Sequence, residues 1–419
     1  MNKLAILFQE AETSQMDLTH PEKGNPGVGG TAFCFMQVID YLEKDPEIDL
    51  YVYRLQDVKL PCAQSFYVRD EEEAFEAIRK EDIKVVLMRN HQTPEVYDLC
   101  RKQPFYFLFW MHNRLTYEEI RMFRIEENVR RVIAVCREMY DYYIDDPIIE
   151  KMDYVINPFV PPSSDLVRKE EEIQKTGEKW VTFMGSLVPD KNFHYLSDIW
   201  KNIVRQVPEA RLHVIGTGRL YEPDKVMGKY GLAQEDYEER ILKGITDENG
   251  KILDTVVFHG ILGEEKYDVF KNTYAGVANP MATETFCLVA IEMESCGVPV
   301  ISRRKNGLVD TVRDKETGLL YSRMEDLEKT LLLLLTDEDM NRRFSEAAAD
   351  FARTAFLPEK VLARWPQIIK EVANETGASY RKPEGNWDNN GKRVRAIFHA
   401  LRKIPGCKKI PSVHDLQKK

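Results

Sequence analysis

Residues 284–301 read Glu284-Thr285-Phe286-Cys287-Leu288-Val289-Ala290-Ile291-Glu292-Met293-Glu294-Ser295-Cys296-Gly297-Val298-Pro299-Val300-Ile301. The apolar run from Leu288 predicts a helix, Gly297 stops it, and Val298 to Ile301 reads as a buried strand. One carboxylate, Glu284, stands just before that helix, and a second, Glu292, stands on it. A helix N-terminus gathers unpaired backbone N–H groups and partial positive charge, which suits a phosphate. Carboxylates cannot bind that phosphate, but they accept hydrogen bonds from sugar and ribose hydroxyls. The segment therefore offers both halves of a nucleotide-sugar site.

The same alternation extends along the chain. Leu4 to Phe8 reads as a strand, a Gly-rich turn follows at Gly24 to Gly30, and a helix covers about Thr31 to Leu42. Short apolar strands are expected at Leu50–Leu55, Val85–Met88, Phe105–Trp110 and Val132–Val135. A second series begins at Trp180–Met184 and continues through Leu212–Ile215, Val256–Phe258, Ala275–Ala278 and Val298–Ile301. Strands separated by helical stretches imply parallel sheets flanked by helices. The polar stretch Ser163 to Lys179 reads as a linker between two doubly wound domains, with ligands expected beyond the strands' carboxyl ends. Pro358 to Val372 predicts a further helix, interrupted at Pro366.

The totals agree with this division. The chain has 419 residues, 43% hydrophobic and 10% aromatic, which suits two globular domains of ordinary size. Its apolar runs are too short to span a bilayer, and the stretch at Met1 to Phe8 is too short for a signal peptide and reads as a strand. Seven scattered cysteines without a Cys-x-x-Cys pair fit a reduced, cytoplasmic protein. A formal net charge of −10 argues against nucleic acid as a partner. From Tyr380 to Lys419, eleven Lys/Arg face three Asp/Glu, a net of +8 that leaves −18 for the rest. Within this basic tail, residues 392–404 are apolar at helical spacing with basic flanks. They read either as a helix on an anionic membrane surface, or as a helix packed on the acidic body or a solvated end.

Three further loops carry candidate phosphate chemistry. Gly27-Val28-Gly29-Gly30-Thr31 precedes a helix. Met184-Gly185-Ser186-Leu187-Val188-Pro189-Asp190-Lys191-Asn192 brings a lysine that can meet a pyrophosphate. Ile215-Gly216-Thr217-Gly218 lacks the third glycine of a dinucleotide fingerprint, which disfavours a nicotinamide dehydrogenase.

Phe258-His259-Gly260, Ala278-Asn279-Pro280, the glutamates Glu284 and Glu292, Cys296-Gly297-Val298-Pro299-Val300 and Gly318-Leu319-Leu320 follow one another in an order that resembles the retaining nucleotide-sugar glycosyltransferases of family 4. Arg131-Val132-Ile133-Ala134-Val135-Cys136 and Val155-Ile156-Asn157-Pro158 are also similar to segments of that family. The resemblance spans roughly residues 1 to 375. It implies an α/β fold of the GT-B architecture, two Rossmann-like domains facing across a cleft, with the basic C-terminal extension added. The boundaries implied are an acceptor-side domain over 1–165, joined by a crossover helix at about 358–375, a nucleotide-sugar-binding domain over 166–357, and the tail over 380–419.

Carried over by position, the resemblance assigns Glu292 to the ribose hydroxyls, Glu284 to the transferred sugar, and the backbone N–H groups of Phe286, Cys287 and Leu288 to the diphosphate. Lys191 would neutralise the leaving phosphates, with Gly185, Ser186 and Gly216 lining the same end. Gly29 and Gly30 would close over the diphosphate, and His112 would face the donor sugar. Glu284, His112 and Lys191 are the residues expected to act in the reaction. The implied activity is a metal-independent, hexosyltransferase-like transfer to an acceptor hydroxyl with retention of configuration. It needs no cofactor, because a nucleoside diphosphate sugar such as a UDP-sugar is the donor substrate. The acceptor would be a glycan, a lipid or a protein, in polysaccharide, glycolipid or glycoprotein glycan assembly, and the location cytoplasmic or peripheral at the inner membrane face.

Two positions depart from the family pattern: Ser186 stands in place of an arginine, and Cys287 in place of a glycine. Arg303, Arg304 or Lys305 are candidates to supply the missing charge. The departures keep a non-catalytic partner subunit of the same fold as an alternative, beside a nucleotide-sugar epimerase or a phosphorylase. Apart from the resemblance, Glu284 and Glu292 can also be read as solvated carboxylates, and His112 as a packed ring beside Trp110 and Met111. Glu294 is expected to face solvent and Asp145-Asp146 to form a solvated turn. Arg89, Asn90 and His91 are acceptor-side candidates.

Overall fold

The computed structural model describes residues 1–169, 177–219, 226–281, 283–407 and 409–417. The chain divides into two compact units, one built from Met1–Glu22, Val28–Pro158 and Phe356–Lys419, the other from Lys23–Gly27 and Phe159–Ala355. Residues 170–176 of the expected linker lie outside the described residues. Its described flank belongs to the second unit, where the Arg168 N–H donates to Cys296 O (2.9 Å) and its guanidinium to Thr273 O and Tyr274 O.

Among the described residues, the first unit carries a seven-stranded sheet: β1 (Asn2–Phe8), β2 (Ile48–Arg54), β3 (Ser65–Tyr67), β4 (Val85–Arg89), β5 (Tyr106–Met111), β6 (Val129–Ala134) and β7 (Met152–Tyr154), in the order β3-β2-β1-β4-β5-β6-β7. Every pairing is parallel. Both faces of such a sheet are covered, so its central strands read as continuous apolar runs. Leu4 to Phe8 and Phe107 to Met111 are accordingly buried without alternation. Trp110 on β5 packs edge-on against Phe35 of the Gly30–Glu43 helix and against Trp365, with ring centroids 4.9 and 5.2 Å apart. Trp365 lies on the helix Arg364–Ala373. The expected break at Pro366 falls earlier: a short helix ends at Val361, and Pro366 sits in the first turn of the next, where no intrahelical N–H is lost.

The second unit has a six-stranded sheet: β8 (Lys179–Met184), β9 (Ala210–Ile215), β10 (Val256–Gly260), β11 (Thr273–Val277), β12 (Val300–Arg303) and β13 (Gly318–Tyr321), again all parallel, in the order β10-β9-β8-β11-β12-β13. The predicted fold class is thus the one observed: two α/β units, each on a parallel sheet. The helix Leu288–Ser295 packs Ala290 and Met293 against Ala278 and Val300. It ends as the sequence requires. Gly297 takes φ +74°, its N–H bonds Glu294 O (2.8 Å), and the Val298 N–H bonds Met293 O (3.1 Å), the paired closure of a glycine C-cap. The strand starts two residues later than expected, at Val300, because Pro299 has no N–H to give the ladder.

The basic tail is part of the first unit. Its helix Lys392–Arg402 is anchored by cations that point inward. Lys392 pairs with Glu138 and with Asp141 (2.7 Å), and Arg395 with Asp145 (2.8 Å); all five side chains are almost fully buried. Arg124 grips Asp146 and reaches Asp415 (3.1 Å). Asp145-Asp146 is therefore not the solvated turn expected; both residues are 1% exposed. Their partners are supplied by Arg124 and by residues some 250 positions downstream. Replacing Lys392 by Met would leave Glu138 with only the Asn389 amide and Asp141 with only the more distant Arg137 (3.9 Å), a loss of roughly 3–5 kcal/mol. Thermal unfolding of Lys392→Met is expected to show the first unit strongly destabilised, whereas Arg393→Met, on the exposed side, leaves the midpoint in place.

Candidate functional site

In the second unit the strand order reverses between β8 and β11, the position where open parallel sheets bind ligands. The loop after β8 ends in Lys191 and Asn192, and the loop after β11 contains Asn279, Thr283 and Glu284. Lys191 Nζ donates to Glu284 Oε1 at 2.5 Å. Asn279 Nδ2 donates to the same oxygen (3.0 Å) and to Thr283 Oγ1 (2.7 Å), while Asn192 Nδ2 donates to Asn279 Oδ1 (3.0 Å). Asn192 occupies the left-handed region at φ +61°, which an asparagine tolerates better than most residues. Burial pushes the Glu284 carboxyl up, but Lys191 and Asn279 more than offset it, so it lies below the usual carboxylate range.

Glu284 precedes the helix Leu288–Ser295 by one turn, with Cys287 as the N-cap residue. Burial and then the Glu284 charge raise the Cys287 thiol, while Lys191 opposes them and Glu292 adds to them. Three charged groups thus surround the start of this helix. Cys287 has φ +84° and ψ +75°, a conformation suited to glycine and strained for a residue with a Cβ. The segment is pinned from behind by Gly307: a Cβ there would lie 2.0 Å from Thr285 O. The Gly307 N–H reaches Glu284 O (3.3 Å), and Thr311 Oγ1 donates to Phe286 O (3.3 Å).

Glu292 is buried and paired with Lys266 Nζ at 2.8 Å. It is not a solvated carboxylate, and its partner is a residue that sequence reasoning missed. Glu294, expected to face solvent, is fully buried: Thr317 Oγ1 donates to it (2.7 Å), and burial drives its carboxyl well above the usual range. Gly185, Ser186 and Gly216 come together at the ends of β8 and β9. A Cβ on Gly216 would lie 2.0 Å from Gly185 O, so the two turns touch backbone to backbone. Ser186 Oγ donates to Thr217 O (3.0 Å). Of the cations considered as substitutes for an arginine here, Arg304 is held by Asp314, and Arg303 contacts Met281 Sδ (3.4 Å).

The first unit places its candidates on β1, β4, β5 and the Gly30–Glu43 helix. Gly29 is that helix's N-cap residue and Gly30 its first residue. The carboxylate of Glu12 lies against Gly29, 2.8 Å from where a Cβ would be. His112 follows β5, buried with its ring 4.3 Å from Trp110 and 5.9 Å from Phe35. Burial, with the Arg89 charge adding to it, lowers its pKa to about 3, so the imidazole is neutral. Arg89, at the end of β4, lies 3.5 Å from Glu10 after β1, again where the strand order reverses. Burial raises Glu10 to about 7 against the opposing charge of Arg89, with Glu12 adding a small upward push. Asn90 and His91 instead serve the neighbouring loop, bonding Asn113 O, Glu119 and Arg114 O.

Residues 166–351 match the family model described as Glycosyl transferases group 1. The D-inositol 3-phosphate glycosyltransferase of Rhodococcus erythropolis is 31% identical over 237 residues, 55% of this chain and 49% of that protein. The trehalose synthase of Thermococcus litoralis is 23% identical over 255 residues, 55% of this chain and 58% of its own. The chain spans about half the length of the curated relatives it matches. Among solved structures, a sucrose-phosphate synthase from Thermosynechococcus elongatus has a TM-score of 0.66 at 16% identity, covering 90% of this chain and all of that one. Anabaena HepE in complex with UDP-glucose has a TM-score of 0.60 at 15% identity, covering 89% and 100%. These structures share the fold.

Two outcomes follow from the geometry. Between pH 4.5 and about 7 the folded protein holds a proton on Glu10 that the unfolded chain has released, so this group's contribution to stability falls as pH rises through that window. Glu10→Gln removes the titration, and its melting temperature relative to the unsubstituted protein should climb across the window and level off above it. At Cys287, a β-branched residue aggravates the left-handed strain, by about 1–3 kcal/mol. Cys287→Val should therefore melt below Cys287→Gly, and an equal melting temperature would contradict the strain.

Proposed function

We propose that the chain is a glycosyltransferase that moves a sugar from a nucleoside diphosphate sugar to an acceptor hydroxyl with retention of anomeric configuration. The observation that carries this reading is the Lys191–Glu284 pair at the strand-order reversal, set over a helix start inside the region that matches the group 1 model. A lysine and a helix N-terminus favour a diphosphate, and a carboxylate beside them accepts hydrogen bonds from sugar hydroxyls. The second unit is assigned the donor and the first the acceptor. HepE, whose fold is similar, binds UDP-glucose, which makes UDP-sugars the first donors to test.

In the proposed reaction the bond between the anomeric carbon and the diphosphate oxygen loosens. Negative charge gathers on the leaving diphosphate, where Lys191 and the N–H groups of Phe286, Cys287 and Leu288 would hold it. The acceptor oxygen bonds the same face of the anomeric carbon, and its proton passes to the departing phosphate. Glu284 would hold the sugar in register. Glu292, fixed by Lys266, would accept the ribose hydroxyls, with Gly185, Ser186 and Gly216 lining the phosphate end.

A second reading, a partner subunit that binds donor without turning it over, is favoured by one observation. The position of the missing arginine is Ser186, whose hydroxyl is spent on Thr217 O, and Arg304 is held by Asp314.

A panel of UDP- and GDP-sugars, followed by calorimetry and by slow donor hydrolysis, tests both readings. Saturable binding with hydrolysis supports the transferase, binding without hydrolysis supports the partner subunit, and no binding overturns both. Removing a charge-assisted contact of about 1.5–3 kcal/mol should weaken the bound nucleotide roughly 10- to 150-fold in Lys191→Ala. Lys191 is a better probe than Glu292, because Glu292→Ala would also strand buried Lys266.

A further inference from the structure

The helix Lys392–Arg402 is turned inside out relative to an ordinary surface helix. Its buried contacts are ionic: Lys392 with Glu138 and Asp141, and Arg395 with Asp145. Its aliphatic residues face away, whereas Phe398 is half-buried. Val394 is 50% exposed, Ile397 58%, Leu401 38%, and Ile404, which continues the last turn through its N–H to Leu401 O, 49%. Positions 394, 397, 401 and 404 are spaced by three, four and three residues, which sets them on one stripe of a helix. Trp387 and Tyr380 nearby are 38% and 39% exposed. Arg393 and Lys403 flank the stripe and are exposed, with Lys382 and Lys409 close in sequence and also exposed. The acids that neutralise Lys392 and Arg395 are buried beneath the helix; of the outer cations, Arg393 pairs with exposed Asp388 (3.1 Å) and Lys403 lies over the Tyr380 ring (4.8 Å).

We infer that this stripe is a docking face for an anionic phospholipid surface. An exposed aliphatic row with exposed Lys and Arg beside it has the chemistry of a helix lying in the headgroup region. Charge complementarity selects the partner and the orientation together. Outside the tail the chain carries −18, so an anionic bilayer repels the body and attracts this face. Among the described residues no helix is long and apolar enough to cross a membrane; attachment through this stripe lies along the surface. The inference does not depend on the transferase reading.

The full chain is sedimented with vesicles of phosphatidylcholine alone and of phosphatidylcholine mixed with phosphatidylglycerol. Binding is expected to the anionic vesicles only, and to weaken as salt is raised. Ile397→Asp/Leu401→Asp should reduce it roughly tenfold or more with an unchanged melting temperature, since both side chains are already exposed. Arg393→Glu/Lys403→Glu should do the same without touching an apolar residue. Truncation at Tyr380 is a poor test, because it also removes Lys392 from Glu138 and Asp141 and Arg395 from Asp145. Failure of the unsubstituted chain to bind anionic vesicles, equal binding by the Asp variant, or self-association through this face without vesicle binding would each overturn the inference.

Discussion

The contact between Lys191 and Glu284 depends on one constraint of the second unit, the parallel pairing of β8 with β11. That pairing sets side by side two strands separated by some ninety residues of chain, and it aligns their carboxyl ends. The loop leaving β8 then delivers an ammonium, and the loop leaving β11 delivers a carboxylate, to the same point. Asn192 and Asn279 bridge the two loops, so the pair does not rest on two flexible side chains alone. An exposed lysine–glutamate contact contributes little. This one is part-buried and shares its acceptor oxygen with an amide, which fixes the geometry as well as the charge.

Much of this arrangement is legible in the sequence. The glycine stop at Gly297 appears as expected, because only a left-handed residue can close that helix end, and the alternation of apolar runs with helices appears as two parallel sheets. Three strands are not announced by the sequence: β3 and β7 have only three residues each and no apolar run, and β13, four residues long, is quoted there only as a motif. Glu294 was misread for a different reason. The helix Leu288–Ser295 is buried on nearly every side, so it has no polar face from which exposure can be inferred, and a carboxyl partner such as Thr317 is visible only in three dimensions. Lys266 escaped notice for the same reason: nothing in a sequence ties it to Glu292, 26 residues on.

Backbone constraints at the candidate site come from residues with no chemistry of their own. Gly216 and Gly307 are each in van der Waals contact with the backbone of the neighbouring turn. They allow the Gly185–Ser186 turn and the Glu284–Cys287 segment to be held from behind by main chain. Motif reading finds charged residues at a site, and these glycines are part of what gives the charges fixed positions. Cys287 shows the converse. It holds a glycine-like conformation although it carries a Cβ, which means that the surrounding contacts, and not local preference, dictate the path of the chain there.

The tail shows which force wins when charge and hydrophobicity compete for one helix. Leaving a buried carboxylate without its cation costs about 3–5 kcal/mol. Leaving an aliphatic side chain wholly in water forfeits about 1.5–3 kcal/mol, and the four on this stripe are only partly exposed. Glu138, Asp141 and Asp145 are enclosed by the first unit, so the helix satisfies them first and turns Lys392 and Arg395 inward. The apolar stripe is left outward as a consequence. Amphipathic spacing in the sequence correctly predicts a helix, but the buried acids determine which of its faces meets the protein.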